Sequence, residues 1–506
     1  MKNEKIEEEI REEYKILVIG SAVDVYTFDP AVAFDEATSS VVKSLYDSLY
    51  KYTDNPPRVI PWLAERYEVS SDGKEWIFYL RKDAYFHDGS PVTAKDVVYS
   101  AKRLMNIGKG PASLFKGIID ENSVEEIDSY TVKFKLLKPY SMFVEIIPWL
   151  FVVNSNLVKQ NEKNDFGQAW LSDNEAGSGP FTIKRFIPGE IYEFEAFENY
   201  WRGWPENSNL KGYTRKVIRN SEDRAKALMN GEIHVADWMS PEDQLILRDA
   251  YGMMLIEEPT INTYEIKMNN KIGYTSNLHV RKAISYAVNY EAIKALWFGR
   301  AKLMRGPLPP GSEWVNEEIS VYRLDMEKAK EELAKSPWPN GGFELDYVYV
   351  VGLEEERLTG LILKSQLALL NITVNIIPMS WTDAVLLFSD PHTSPDLFPL
   401  YSSSAYFDPD NYLWSGYHSS QAGEWTNPGH YSNIEVDRLL EEARTTIDKE
   451  KRKEIYNRVQ EIIVEDAANI FLVAPPDFHV WSPKVKNLDY CPIQGSDEEF
   501  YGLRIE

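Results

Sequence analysis

Strand-like and helix-like patterns alternate along the whole chain, and this interleaving limits the possible fold more than any other feature. Residues Thr131 to Leu137 alternate between apolar and polar, as a half-buried strand does, and 75–80 and 343–351 are further predicted strands. A helix is predicted after the strand at 75–80, because Thr93 and Asp96 have the spacing of a capping box, which marks a helix start. Elements mixed in this order predict an α/β fold.

Two more patterns add detail to this prediction. Alternating runs on either side of Pro188-Gly189, "FTIKRF" and "IYEFEAF", predict a β-hairpin. Near the C-terminus, apolar residues recur at helical spacing in two successive segments, which predicts two helices with buried faces. The first face contains Val436, Leu439, Leu440 and Ala443, and the second contains Ile455, Val459, Ile462 and Ile463. No internal repeat or low-complexity linker appears, so we expect domains joined by ordered crossings.

Charge and cysteine content exclude several classes of protein. The 506 residues include 79 Asp and Glu against 55 Lys and Arg, a net charge of −24, which repels nucleic acid and anionic lipid. We therefore expect no nucleic-acid partner. No apolar run approaches the ~20 residues of a membrane span. Cys491 is the only cysteine, which rules out a disulfide framework or a cysteine-rich metal site.

The first residues and the amide content bear on location and source. The N-terminal "MKNEKIEEEIREEYK" has no apolar segment and is not a signal peptide, so the sequence indicates either a cytoplasmic protein or a mature chain without its signal. Only seven Gln stand against many Lys and Glu, a composition typical of thermophilic sources.

Motifs for catalysis are missing. The sequence has no G-x-S-x-G, Walker loop or H-E-x-x-H, and its seven histidines lack metal-ligand spacing. "DPDN" (408–411) resembles part of a calcium loop but lacks the glycine and terminal Glu, which favours a turn. We therefore expect no enzyme activity, no cofactor and no metal. A glycoside hydrolase of unrecognised type remains a less favoured alternative, since paired carboxylates are abundant in so acidic a chain.

Residues 41–105 begin a resemblance that covers nearly the whole chain. "SSDGKEWIFYLRKDAYFHDGSPVTAKDV" (70–97) resembles the signature of extracellular solute-binding proteins of the oligopeptide, dipeptide and nickel type, the ligand-capturing subunits of ABC importers. "GSGPFTIKRFIPGE" (177–190), "VRKAISYAVNYEAI" (280–293) and "GPLPPG" (306–311) then follow in the family's order. The long C-terminal stretch 431–473 completes the resemblance.

The resemblance implies a two-lobed α/β clamp of the periplasmic-binding-protein type, with ligand enclosed between the lobes by hinge closure. Lobe I would contain residues 1–262, with an extra subdomain inserted at about 50–175, and the C-terminal return 476–506. Lobe II would contain 263–475. The implied partners are a membrane permease and a small ligand, and the implied location is periplasmic or extracellular, with the protein acting as a monomer. A chaperone-like binder of the same family is a further alternative.

The ligand class depends on the window "PLYSSSAYFDPDNYLWSGYHSS" (399–420). Peptide-binding relatives carry an aspartate three residues before an Asp-Pro or Glu-Pro pair, where it takes the peptide's α-ammonium. Here Asp408-Pro409 is present, but the position three before it is Ala405, with Ser402 to Ser404 beside it. Hydroxyls without a carboxylate favour a neutral oligosaccharide over a peptide, because a buried ammonium needs a charged partner. An oligopeptide remains the alternative.

Tryptophans in polar segments agree with a sugar, because an apolar sugar face stacks on an aromatic ring. Trp381 is favoured, since the resemblance places this position against the ligand. The family position of Trp201 and Trp204 favours packing within the fold. The candidate ligand-binding residues are Trp381, Ser402, Ser403, Ser404, Tyr406, Asp408, Trp238, Trp414 and Tyr26.

Overall fold

The computed structural model describes residues 15–257, 260–351, 353–446, 448–496 and 498–506, and within them the chain forms two compact units. Unit 1 contains the described residues up to Ile256 together with Ala405–Phe407 and Phe478–Glu506. Unit 2 contains Glu257–Ser404 and Asp408–Asp477. The lobe boundaries predicted after residues 262 and 475 remain predictions, and the two units divide after Ile256 and Asp477. The assignment of 405–407 to unit 1 was not predicted.

The elements are labelled in chain order. The strands are β1 (Lys15–Ser21), β2 (Tyr50–Thr53), β3 (Arg58–Pro61), β4 (Ala64–Val69), β5 (Glu75–Leu80), β6 (Val124–Asp128), β7 (Thr131–Lys135), β8 (Phe181–Ile187), β9 (Ile191–Ala196), β10 (Leu210–Val217), β11 (Val235–Ala236), β12 (Met254–Leu255), β13 (Thr263–Met268), β14 (Lys302–Leu303), β15 (Phe343–Val350), β16 (Ile372–Met379), β17 (Leu397–Ser402), β18 (Asn469–Ala474), β19 (Val480–Trp481), β20 (Val485–Lys486) and β21 (Arg504–Ile505). The helices are α1 (Glu36–Leu45), α2 (Ala94–Ile107), α3 (Ala112–Phe115), α4 (Phe143–Ile146), α5 (Ser155–Asn161), α6 (Gln168–Leu171), α7 (Ser221–Met229), α8 (Pro241–Tyr251), α9 (Leu278–Ala287), α10 (Tyr290–Lys294), α11 (Met326–Ala334), α12 (Glu354–Leu367), α13 (Trp381–Leu387), α14 (Pro409–Tyr417), α15 (Ile434–Thr445) and α16 (Lys449–Glu465). Short 3-10 helices span Ile147–Trp149, Tyr274–Ser276, Ala295–Trp297, Ala368–Leu370 and Ser419–Gln421.

The main sheet of unit 1 has the strand order β12-β19-β11-β1-β10-β9-β8. Strand β1 is parallel to both β10 and β11, while the outer strands pair antiparallel. The hairpin predicted around Pro188-Gly189 is confirmed as β8 and β9, which pair from Phe181↔Ala196 to Ile187↔Ile191. Parallel strands bring the carboxyl ends of β1, β10 and β11 to one edge of this sheet.

A second, four-stranded sheet in unit 1 has the order β4-β5-β7-β6 and contains two of the predicted strands as direct neighbours. Helix α2 packs beside it and begins as predicted. The carboxylate of Asp96 accepts hydrogen bonds from the Thr93 amide at 3.1 Å and from the Thr93 hydroxyl at 2.7 Å. These local contacts hold the start of the helix because they satisfy a backbone donor that would otherwise lack a partner.

Unit 2 is built on a six-stranded sheet of order β14-β18-β13-β17-β15-β16. Because side chains alternate across a strand, Ile470 and Leu472 of β18 pack on the face covered by α9 to α12, and Phe471 packs on the opposite face. That opposite face is covered by α14, α15 and α16, and beside them α13 packs on Val348 and Phe398. The two predicted C-terminal helices are confirmed, and their apolar faces are buried in this core.

Candidate ligand-binding site

The carboxyl ends of three neighbouring strands of unit 2 lie at one edge of its sheet. Strand β15 is parallel to both β16 and β17, so the chain leaves the sheet at this edge after Val350, Met379 and Ser402. The segments that follow are the first turn of α12, the first turn of α13 and Ser403–Ser404. In open α/β sheets, ligands bind outside the carboxyl ends of strands. This edge is therefore the candidate site in unit 2.

The first turn of α12 consists of three consecutive glutamates and is fixed to the end of β15. The Glu356 carboxylate accepts a hydrogen bond from the Val350 amide at 2.8 Å, and the Tyr347 hydroxyl donates to the Glu356 carbonyl at 2.7 Å. On the outside, Glu354 forms a two-bond ion pair with Arg357, with contacts of 2.8 and 2.5 Å. Glu355 therefore lies between Glu356, which is fixed to the end of β15, and Glu354, which is exposed and paired with Arg357.

Glu355 has a half-buried carboxylate that meets no cation and accepts no hydrogen bond from another residue within the described parts of the chain. Burial raises the pKa of this carboxyl, and the nearby charge of Glu354 raises it further, while the residue's own amide lowers it. Tyr401, at the end of β17, is close enough that the Glu355 charge adds to burial in raising its pKa. Glu355 therefore lies at the carboxyl edge without a matching cation among the described residues.

Trp381 begins α13 at the same edge, and its side chain is 41% exposed. The preceding Ser380 caps this helix by accepting a hydrogen bond from the Asp383 amide at 3.1 Å. The indole contacts the rings of Phe398 and Trp425, with centroids 6.4 and 6.1 Å away. Trp381 thus combines a supported ring with a surface that remains accessible, as a ligand-stacking residue requires.

Only part of the predicted serine-rich segment is accessible. Ser402 and Ser403 are half-buried, whereas Ser404 is fully buried and its hydroxyl bonds to Tyr412. Ala405 is 4% exposed, and its carbonyl accepts a hydrogen bond from the Trp149 indole at 2.5 Å. Tyr406 is also buried. Of this segment, therefore, Ser402 and Ser403 are the hydroxyls with access to solvent.

Asp408 is buried and engaged within unit 2. It caps α14 by accepting from the Asp410 amide at 2.9 Å, and it pairs with Arg452 at 2.5 Å. Burial raises the pKa of Asp408 to about 6, although Arg452 acts in the opposite direction. The sequence favoured a turn over 408–411, but the segment starts a helix, because Asp408 is its cap and Pro409 suits its first position. A ligand role for Asp408 remains a prediction.

Trp414 is half-buried on α14 between two neighbours. Its ring stacks on His418 at a centroid distance of 3.7 Å, and the Arg444 guanidinium lies 3.3 Å from its centroid. These contacts occupy the ring in packing, so its predicted role toward a ligand rests on the sequence pattern alone.

In unit 1, Trp238 lies at the carboxyl end of β11 and Tyr26 lies in the segment after β1. Trp238 is half-buried, and its ring stacks on Phe478 at 4.9 Å with an interplanar angle of 15°. Tyr26 is 56% exposed, and its hydroxyl donates to the Val32 carbonyl at 3.1 Å. Both are accessible aromatic groups near the end of parallel strands of unit 1.

Trp201 and Trp204, which follow the hairpin, make packing contacts in unit 1. The Trp201 indole donates to the buried carboxylate of Asp47 at 3.1 Å, and the Trp204 indole donates to the Phe197 carbonyl at 3.0 Å. Asp47 also accepts from Trp62 and Tyr200 at 2.6 and 3.1 Å. In this polar segment Tyr200 and Trp201 thus satisfy a buried carboxylate, and Trp204 satisfies a backbone carbonyl.

Sequence reasoning missed Glu355 and Phe478. Three glutamates directly after a predicted strand were the available signal for Glu355, but a run of acids is common in so acidic a chain. Within the described ranges, no group of three or more His, Cys, Asp or Glu residues is arranged to hold a metal ion. The same ranges contain no helix long and apolar enough to cross a membrane.

Comparison with known proteins identifies the class. The family model "Bacterial extracellular solute-binding proteins, family 5 Middle" matches residues 58–424. The probable D,D-dipeptide-binding periplasmic protein DdpA of Escherichia coli (strain K12) is 30% identical over 486 residues, covering 94% of this chain and 92% of the relative. Heme-binding protein A of Haemophilus influenzae is 28% identical over 504 residues, covering 95% of this chain and 90% of the relative.

A solved structure agrees over nearly the full length. The periplasmic binding protein DppA of Helicobacter pylori, in complex with the peptide STSA, has a TM-score of 0.86 and 25% identity, and the match covers 98% of this chain and 99% of that one. The fold is therefore the two-lobed α/β fold of periplasmic binding proteins, as predicted. The chain belongs to the bacterial extracellular solute-binding proteins of family 5. These relatives lend no support to the predicted thermophilic source.

Proposed function

We propose that this protein is the substrate-binding subunit of an ABC importer and that it captures short peptides with a free N-terminus for delivery to a membrane permease. The observation that carries the choice of ligand is Glu355, a half-buried carboxylate without a matching cation in the described chain. Two of the three relatives support this choice, since DdpA is named for a dipeptide and DppA was solved with a peptide, whereas heme-binding protein A is named for a different ligand. The peptide alternative thus replaces the oligosaccharide that the sequence favoured.

The physical argument concerns the cost of an unmatched charge. Burying a carboxylate away from water is unfavourable unless a cation or hydrogen-bond donors compensate. Two unit charges about 4 Å apart attract by roughly 4 kcal/mol at an effective dielectric constant near 20. A peptide's α-ammonium brings both the charge and three N–H donors, whereas a neutral sugar brings donors alone. Glu355 therefore supplies the acid that the alanine at position 405 does not.

The other accessible groups suit the rest of a short peptide. Ser402 and Ser403 offer hydroxyls, which donate to and accept from a peptide backbone. The exposed part of Trp381 offers an apolar surface for a side chain. Little of this arrangement depends on one side-chain identity, so we expect the protein to accept several short peptides.

A neutral oligosaccharide is the second candidate. The accessible indole of Trp381 beside serine hydroxyls favours it, because a sugar ring stacks on an aromatic face and needs polar partners at its rim. This reading leaves Glu355 without a matching charge, which is why we rank it second.

The experiment begins with a thermal-shift screen of di- to tetrapeptides and oligosaccharides, since a ligand that binds only the folded state raises the melting temperature. Peptide hits are then titrated calorimetrically in free and N-acetylated forms against wild type and Glu355→Gln. Both acetylation and the substitution should weaken binding by about 10- to 100-fold, because each removes one partner of a charged hydrogen bond.

Glu354→Gln is the matched control, because it removes the adjacent charge from an exposed pair and should leave affinity unchanged. The two losses should not add: acetylation should have little further effect on Glu355→Gln. Binding of oligosaccharides with no response to any peptide would overturn the peptide assignment.

A further inference from the structure

A cavity of about 350 Å³ lies within unit 2, beside the end of α13. Strands β15 and β16, the last two of the six-stranded sheet, form one wall. Residues 392–396, which lead from α13 back to β17, and residues 269–273, which follow β13, border the rest. Sites for small molecules in proteins have volumes of about 300–1,000 Å³. This cavity is therefore large enough for a small ligand.

The border of the cavity is fixed by one buried side chain. The amide nitrogen of Asn269 donates to the carbonyls of Pro391 and Ser394 at 2.9 and 3.3 Å. Its oxygen accepts from the backbone amides of Lys271 and Ile272 at 3.1 and 3.2 Å. Asn269 thus joins the two segments that border the cavity. The cavity is preformed in the folded unit, so a ligand does not have to order it.

One end of the cavity carries the carboxylates of Asp346 and Asp396. The Asp396 carboxylate accepts from the Asp346 amide at 2.9 Å, and the Asp346 carboxylate accepts from the side-chain amide of Asn375 at 3.1 Å. Neither acid forms an ion pair with any other residue that the structure describes. Burial raises the pKa of Asp396, the amide of Asp346 lowers it, and the charge of Asp346 raises it again. This end of the cavity therefore attracts a cation.

The rest of the wall is largely apolar. Because side chains alternate along β15, Val348 lies on the same face as Asp346, where it packs against α13. Ile377 and Met379 of β16 and Leu387 of α13 extend this apolar surface along the cavity. Within the described ranges, no three His, Cys, Asp or Glu residues are arranged to hold a metal ion. An acidic end beside an apolar wall matches a cation with an apolar body better than a bare metal ion.

The acidic end is separate from the candidate peptide site. Asp346 lies four residues before the end of β15, which is roughly 13 Å from the carboxyl edge at about 3.3 Å per residue, and Asp396 directly precedes β17. We infer that this cavity is a second ligand site, which binds a small organic cation such as a primary alkylamine. The ammonium group contacts Asp346 and Asp396, and the alkyl chain lies along the apolar wall. The inference goes beyond the proposed peptide function and does not depend on it.

The experiment titrates hexylamine, 1-hexanol and propylamine calorimetrically into Glu355→Gln, a background without the carboxylate proposed for the peptide's ammonium. Hexylamine should bind about tenfold more tightly than either of the others, because hexanol lacks the charge and propylamine lacks three methylene groups. Asp346→Asn and Asp396→Asn, added singly, should each weaken hexylamine binding by about tenfold. Glu344→Gln is the matched control, because this exposed acid lies on the same face of β15 but does not line the cavity, and it should leave the affinity unchanged.

The outcomes separate this site from the peptide site. In the otherwise wild-type protein, Asp346→Asn should leave peptide affinity unchanged, and each variant should melt close to its parent. If hexylamine does not bind saturably, or binds the two aspartate variants as tightly as their parent, the amine site is wrong while the peptide function stands. Saturable binding of Mg²⁺ or Ca²⁺ without binding of hexylamine would also overturn it. If no peptide binds but hexylamine behaves as expected, the proposed function fails and the amine site stands.

Discussion

Two acidic helix starts in unit 2 follow strands of the same sheet, yet their carboxylates are treated in opposite ways. At the start of α14, Asp408 pairs with Arg452, and Asp410 forms a two-bond pair with Arg444 at 2.8 and 2.9 Å. At the start of α12, Glu354 pairs only with Arg357 at the surface, and Glu355 meets no cation among the described residues.

Both turns have the acids that the positive end of a helix favours, so local sequence does not separate them. The difference lies in what packs above each turn. Helices α15 and α16 supply Arg444 and Arg452 to the first turn, so its charges are matched inside the protein. The second turn lies at the strand ends, and its Glu355 meets no cation in the part of the chain that the structure describes. Acids that pair with a buried arginine, such as Asp408, have a structural role. An accessible acid that meets no cation among the described residues, such as Glu355, is free to bind a positively charged ligand group.

The largest expected effect on stability comes from removing the arginine that pairs with Asp408 at the start of α14. Arg452→Met leaves the buried carboxylate of Asp408 without its cation and should lower the free energy of unfolding by about 3–5 kcal/mol, measured by urea denaturation. Arg438→Met is the control, because Arg438 pairs with Glu442 at the surface, and it should cost no more than about 1 kcal/mol. Equal effects for the two variants would mean that the Asp408–Arg452 pair is not a structural element.

Removing the charge of Glu355 at the start of α12 should change the free energy of unfolding in the opposite direction. Glu355→Gln removes a half-buried charge and should raise the stability of the ligand-free protein at pH 7 by about 1 kcal/mol, the scale on which burial of an unmatched polar group destabilises a protein. Burial raises the pKa of this carboxyl, so its ionised form is the unfavourable one in the folded state.

Because the pKa of Glu355 is raised in the folded protein, the stabilising effect of Glu355→Gln should depend on pH. The penalty of the ionised form is present at neutral pH and is lost as the pH falls through the raised pKa toward the unfolded value near 4.3. The stability difference between Glu355→Gln and wild type should therefore shrink as the pH is lowered from 7 to about 4. A difference that grows over this range would show that the carboxylate is stabilised by a contact in the folded protein.

Salt should have a smaller effect, which concerns peptide affinity and acts through Glu355 at the start of α12. Affinity for a peptide with a free N-terminus should fall a few-fold between low and high ionic strength, because salt screens the ammonium–carboxylate attraction. The N-acetylated peptide should show almost no salt dependence. If titrations at low and high salt give the same slope for both peptides, Glu355 does not contact the ammonium.

The smallest effect is expected from Glu354→Gln, which breaks only the exposed pair with Arg357. Its free energy of unfolding should stay within about 0.5 kcal/mol of wild type, as for other exposed pairs three or four residues apart on a helix. A larger loss in urea denaturation would show that the whole acidic turn, rather than Glu355 alone, is set by electrostatics.

The sequence by itself determined the elements whose causes are local. Thr93 and Asp96 marked a helix start, Pro188-Gly189 marked a hairpin, and the C-terminal apolar spacing marked two buried helix faces, because each depends on neighbours within a few residues. The motif order was enough to recognise the family. The same reasoning was wrong at 408–411, where it predicted a turn but a helix begins, since helix caps and turns use the same residue types.

The tertiary structure alone decided which acids are matched. Arg452 reaches Asp408 from 44 residues further along the chain. Ala405–Phe407 belong with unit 1, although Ser404 before them and Asp408 after them belong to unit 2. Whether Glu355 meets a cation depends on the packing of whole helices on the sheet. No local pattern reports such long-range partners, because they are set by how elements distant in sequence pack together. For the same physical reason, the sequence does not show the positive φ of Trp238 or the hydrogen bond that its carbonyl accepts from Arg224.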